Sequence, residues 1–104
     1  MESTRVLFID NLDSFSWNIV HAFSVLGAEV IVVPGRNESL LATNLVEDLL
    51  PTHIVLGPGP GRPEMSKLTM EFANLAVEGN SLPLLGICLG HLAIGQAVGW
   101  PLIA

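Results

Sequence analysis

The chain has 104 residues, half of them apolar and 13% charged, with a net charge of −6. That length suits one small domain, and four cations (Arg5, Arg36, Arg62 and Lys67) make no basic patch for nucleic-acid phosphates. A single cysteine, Cys88, excludes an internal disulfide framework and a cysteine-based zinc cage.

Residues 5–10 are a continuous apolar run bounded by polar residues, as expected of a central parallel strand. Ser14 can cap a helix running to about Leu26, with Phe15, Ile19, Ala22, Phe23 and Leu26 at helical spacing and Gly27 as its stop. Residues 28–33 predict a second strand, ended by Pro34-Gly35, and 40–50 a short helix ended by Pro51-Thr52. A third strand follows over 53–56, then a Pro/Gly-rich loop over 57–63. The next helix starts at Pro63 or Ser66 and runs to Glu78, burying Leu68, Phe72, Leu75 and Ala76 before Gly79-Asn80 stops it. Residues 82–87 predict the fourth strand and 92–98 a last helix. Right-handed crossovers between parallel strands make this alternation an α/β fold, a doubly wound, mostly parallel sheet with helices on both faces. Strands of such a sheet are buried on both sides. A chain this short, with a mean hydropathy of +0.58, is therefore expected to lack part of its cover or to borrow it from a partner.

Two stretches carry chemistry. Gly86-Ile87-Cys88-Leu89-Gly90 joins the fourth strand to the last helix as G-x-C-x-G, the cysteine counterpart of the nucleophile elbow of serine hydrolases. Glycine on either side of the nucleophile relieves crowding in the sharp turn, and helix-terminal N–H groups favour a thiolate there. A lone cysteine in an apolar chain is otherwise an inert core residue. The second stretch, Gly57-Pro58-Gly59-Pro60-Gly61-Arg62-Pro63, alternates a residue of fixed φ with one of unusual freedom. The remaining N–H groups, at Gly59 and Gly61, are therefore aimed in set directions. Alone, such a cluster is a stiff surface turn, and no Gly-Lys-Ser/Thr follows to make it a phosphate loop. In a parallel sheet, however, both stretches lie at the carboxyl ends of strands, where ligands bind. Together they suit acyl transfer through a thioester, with Cys88 attacking and the N–H groups of Gly59 and Leu89 holding the oxyanion. None of the three histidines is a convincing base. His91 follows Cys88 by three residues and would turn into the packing, His53 opens a strand at the far end, and His21 faces solvent or a partner.

Gly86-Ile87-Cys88-Leu89-Gly90-His91 with Pro58-Gly59-Pro60-Gly61 resembles the class I (triad) glutamine amidotransferases, whose fold is flavodoxin-like. The opening Phe8-Ile9-Asp10-Asn11-Leu12-Asp13-Ser14-Phe15-Ser16-Trp17-Asn18 is similar to the start of the small subunits of anthranilate synthase and aminodeoxychorismate synthase, and Ala93-Ile94-Gly95-Gln96-Ala97 also matches. The resemblance implies that residues 1–104 are the amino-terminal part of such a domain. It implies a glutaminase in which Cys88 is the nucleophile, Gly59 and Leu89 form the oxyanion hole, and Gly59, Pro60 and Gly61 embrace the bound L-glutamine. Ammonia would pass to a large chorismate-binding synthase subunit, near which the 11–15 region would lie. No cofactor or metal is implied.

Two departures bear on activity. The family's catalytic His and Glu stand in a Pro-x-His-Ser-x-Glu-like segment beyond the elbow, which these 104 residues do not contain. Little glutamine turnover is expected of them alone. Leu92 stands where the family usually has a glutamine that helps to bind substrate, and leucine can make no such hydrogen bond. Gly57 in place of a more usual serine is a milder change. The alternative reading is a non-catalytic α/β scaffold derived from this family and binding a partner; a stand-alone flavodoxin-like binding domain is disfavoured, since no strand end offers a phosphate loop. No apolar run reaches the ~18 residues of a membrane span, and residues 1–5 lack the basic region and cleavage site of a signal peptide. A cytoplasmic protein is expected.

Overall fold

Val6, Leu7, Phe8 and Ile9 are all buried, so strand β1 (Arg5–Asp10) is covered on both faces and lies in the interior of the sheet. In the computed structural model, which describes residues 4–11, 16–37, 39–59, 65–79, 82–87 and 94, it is flanked by β2 (Glu29–Pro34) on one side and β3 (His53–Leu56) on the other. Strand β4 (Leu84–Gly86) pairs with β3, giving the order β2-β1-β3-β4 with every pairing parallel. The chain steps one way from β1 to β2 and then the other way to β3 and β4. Right-handed crossovers therefore send the first helix to one face and the next two to the opposite face.

The packing follows this rule. Helix α1 (Ser16–Val25) lays Ile19, Val20 and Phe23 over Val6, Phe8 and Val55. Helices α2 (Ala42–Leu49) and α3 (Lys67–Val77) close the other face, where Ala42, Leu68, Phe72 and Ala73 meet Leu7, Ile9, Ile54 and Leu56. Alternation along β1 and β3 supplies one set of side chains to each face. The fold is thus the doubly wound α/β sheet expected from the sequence.

Local chemistry explains the boundaries. Helix α1 ends in a Schellman turn: the N–H of Gly27, at φ +94°, bonds to the Ser24 carbonyl at 3.0 Å, and that of Ala28 to the Phe23 carbonyl at 3.1 Å. Helix α3 starts after Ser66 rather than at Pro63, because the Ser66 hydroxyl accepts from the Thr69 N–H and caps the first turn. Strand β2 runs one residue further than expected, to Pro34. It sits at the sheet edge, where a proline costs no ladder hydrogen bond. Strand β4 is shorter than the expected 82–87. The expected start of α1 at Ser14 and nearly all of the last helix lie outside the described residues; Ile94 packs against the α2–α3 side of the core.

Among the described residues, cover is thinnest over β4 on the α1 face. Leu85 is the register partner of Val55, yet it is 51% exposed. A groove of about 450 Å³ opens between Phe23, Leu26, Val55 and Leu85, at the amino ends of the strands. Among the described residues, no helix is long and apolar enough to cross a membrane.

Candidate active site

Strands β1, β3 and β4 end at one edge of the sheet, and the three chain segments leaving them meet there. From β1 the chain passes to Asn11, from β3 to Gly57-Pro58-Gly59, and from β4 to Ile87. Between β1 and β3 the strand order reverses, and the crevice at such a switch point is where open α/β sheets bind ligands.

Main-chain bonds extend the pairing beyond the strands. The Gly57 N–H donates to the Ile9 carbonyl at 2.9 Å, and the Ile87 N–H to the Leu56 carbonyl at 2.9 Å. The residue before Cys88 is therefore tied to the strand that launches the Pro/Gly loop. Gly57 and Pro58 are buried and Gly59 is half-buried, so the loop begins inside the molecule rather than as a surface turn.

Close packing explains the glycines. A Cβ at Gly57 would stand 2.7 Å from the Ile9 carbonyl oxygen and 2.9 Å from the Phe8 ring. At Gly59 it would overlap the main-chain carbonyl oxygen of Asn11, and at Gly35, in the turn after β2, it would come 2.6 Å from the Ser66 hydroxyl. Real Cβ atoms rarely make such approaches, so the glycines after β2 and β3 let those exit loops pack closely against the end of β1 and Asn11. The Gly57 position is thus tighter than the sequence comparison with serine suggests.

Asn11 is the residue whose role the sequence does not announce. Its side chain is fully buried. The Nδ2 group donates to the Gly57 carbonyl and to Thr69 Oγ1, both at 3.0 Å, while Oδ1 lies 3.3 Å from Thr69 Oγ1. Ser66 Oγ continues the network, 2.7 Å from Thr69 Oγ1 and 3.0 Å from the Gly35 carbonyl. The Asn11 side chain therefore faces the interior; residues 12–15, the rest of the region that the resemblance places near the partner subunit, lie outside the described residues. A polar residue directly after a fully buried strand is the signal that could have marked Asn11, because burial demands partners for both ends of its amide.

The other sequence-derived site residues divide simply. Gly59 stands at the carboxyl end of β3, as expected. Cys88, Leu89, Pro60, Gly61, Leu92 and His91 lie outside the described residues. His53 opens β3 at the opposite end of the sheet and His21 is exposed on α1, so neither belongs to this edge. Among the described residues, no cluster of His, Cys, Asp and Glu could hold a metal ion.

Residues 7–104 match the family model for class-I glutamine amidotransferases. Aminodeoxychorismate synthase component 2 of Serratia marcescens is 45% identical over 94 residues, which is 90% of this chain and 47% of that protein. Anthranilate synthase component 2 of Pseudomonas aeruginosa is 47% identical over 94 residues, 90% of this chain and 44% of that one. That of Azospirillum brasilense is 44% identical over the same length and is covered to 46%. The chain thus spans about half the length of these curated relatives. A match over almost all of its residues, with the parallel sheet and strand-end glycine loop described above, shows that it belongs to the class-I glutamine amidotransferase family.

Proposed function

We propose that these 104 residues are the nucleophile-bearing, amino-terminal part of a glutaminase that supplies ammonia to a large chorismate-binding synthase subunit. One observation supports this most directly. The glycine loop leaving β3 and the segment leading into Cys88 emerge from adjacent strands, joined by the bond from Ile87 to Leu56. A thiol at the corner of β4 would then stand next to the N–H donors of the loop.

In the proposed reaction the Cys88 thiolate attacks the side-chain amide carbon of glutamine. The amide oxygen takes up negative charge, held by the N–H groups of Gly59 and Leu89, while Gly59, Pro60 and Gly61 embrace the substrate. The C–N bond then breaks. The nitrogen leaves as ammonia, carrying the proton taken from the thiol, and a glutamyl thioester remains. Water hydrolyses the thioester to glutamate and restores the thiol. Proton transfer needs a base, which the family resemblance assigns to a Pro-x-His-Ser-x-Glu-like segment that these 104 residues do not contain. The 104-residue polypeptide is accordingly expected to turn over little glutamine. A thiol that must stay reduced in order to attack suits the reducing cytoplasm. The names of the relatives support both tryptophan and folate synthesis as destinations for the ammonia.

Leu92, with no polar group to offer the substrate, favours a second reading, a scaffold that keeps the fold and binds the synthase without catalysis. Alkylation of Cys88 by a diazo-ketone analogue of glutamine separates the two. A glutamine site reacts saturably and faster than free cysteine; a scaffold thiol reacts no faster.

A further inference from the structure

We propose that Asn11 is a positioning residue whose side-chain amide, by holding the Gly57 carbonyl, fixes the direction of the Gly59 N–H. The inference rests on the reading of Gly59 as an oxyanion donor for its consequence in catalysis, but the constraint itself stands on backbone geometry.

Gly57 is held at both ends of its polar backbone. Its N–H is bonded to the Ile9 carbonyl at 2.9 Å, and its carbonyl accepts from Asn11 Nδ2 at 3.0 Å. Two restraints of this kind leave the peptide plane between Gly57 and Pro58 little freedom. Pro58 follows, and its ring locks φ near −65°. A single torsion, ψ of Pro58, then sets the plane carrying the Gly59 N–H. That torsion is bounded as well, because Gly59 packs against the main chain of Asn11 so closely that no Cβ fits. One residue thus restrains the loop at Gly57 with its side chain and at Gly59 with its backbone.

The amide itself cannot wander. Its NH₂ end must face the Gly57 carbonyl, since the opposite orientation would set oxygen against oxygen. Thr69 Oγ1 meets both ends of the amide, at 3.0 and 3.3 Å. Thr69 sits in the first turn of α3, whose capping Ser66 is in turn tied to Gly35 after β2. The direction of one N–H is therefore referred to three strands and a helix. Preorganisation of this kind lets a hydrogen-bond donor stabilise developing charge without reorganising during the reaction.

The test uses the 104-residue chain with three substitutions. Asn11→Asp keeps the shape and removes the donor to Gly57; Thr69→Val removes the hydroxyl that anchors the amide; Thr69→Ser keeps that hydroxyl. The first readout is the Gly59 amide ¹H–¹⁵N cross-peak, which does not depend on any activity. It should move in N11D and T69V further than any amide of β1, and return in T69S. The second readout is alkylation of Cys88 by the diazo-ketone, separated into its saturation constant and its limiting rate. The limiting rate should fall about tenfold in N11D and T69V, with the saturation constant within about twofold, because a misdirected donor affects the charged transition state more than binding. T69S should restore the rate. A Gly59 peak unmoved in folded N11D and T69V overturns the proposal, as does failure of both to fold while T69S folds, which would mark Asn11 as a core residue only. If the unsubstituted chain shows no saturable alkylation, the glutaminase reading fails by itself, and the Gly59 peak alone decides the role of Asn11.

Discussion

A methyl group added at Gly59 would overlap the Asn11 carbonyl oxygen, so Gly59→Ala must displace one of two main-chain segments that have little freedom to move. Overpacking of this kind costs about 1–3 kcal/mol. Urea denaturation of the variant is expected to show that loss, together with slower alkylation of Cys88, whereas a midpoint unchanged from the parent chain would mean the loop relaxes freely. The second residue-scale expectation concerns Leu92. Replacing it by glutamine supplies an amide that can bond the substrate, and one such bond is worth about 0.5–1.5 kcal/mol. L92Q should therefore lower the concentration of glutamine analogue that half-saturates alkylation by about twofold to thirteenfold; an unchanged value would mean that position 92 does not touch the ligand. Residue identity alone drew attention to Gly59 and Cys88. It left Asn11 without a role, because the groups its amide bonds to come together only once three strand ends and α3 are folded against one another.

Helix ends and strand limits divide the legible from the illegible at the scale of elements. The strand over 53–56 and the stop at Gly27 could be read directly: an apolar run bounded by Thr52 and Gly57 has one place to begin and end, and a glycine after an amphipathic stretch supplies the left-handed residue a Schellman turn needs. Two features were hidden by tertiary context. Pro34 reads as a terminator, but the edge position of β2 makes its missing N–H harmless. Leu50 reads as the last apolar position of a helix, but it adopts φ +50° as the cap of α2 and is 68% exposed. A side chain in that conformation costs roughly 1–2 kcal/mol, which glycine avoids at an entropic cost of about 0.5–1 kcal/mol. Leu50→Gly is expected to raise stability by about 0.5–1 kcal/mol, visible as a higher urea midpoint. A lower midpoint would show that Leu50 contributes packing which its exposure does not reveal.

Among the described residues, the two faces of the sheet differ in how fully they are closed. On the α2–α3 side Leu7 is fully buried, while on the α1 side Leu85 remains 51% exposed beside the groove it shares with Phe23 and Leu26. Leu7→Ala should cost about 2–5 kcal/mol, a large part of the ~5–15 kcal/mol that holds a domain of this kind together. Leu85→Ala should stay within about 0.5 kcal/mol of the parent chain. Equal losses would mean that the α1 face is closed as tightly as the other. The strand register, not the composition, places the exposed Leu85 beside Val55 on the α1 face. The same register puts the ends of β1, β3 and β4 together, and with them the claim that Cys88 belongs to a glutamine site. That claim is tested most directly by the rate of Cys88 alkylation against concentration of the diazo-ketone analogue, with and without L-glutamine. The predicted result is a rate that saturates, exceeds that of free cysteine at the same pH and falls when glutamine is added. A rate that rises linearly, equals that of free cysteine and ignores glutamine would contradict it.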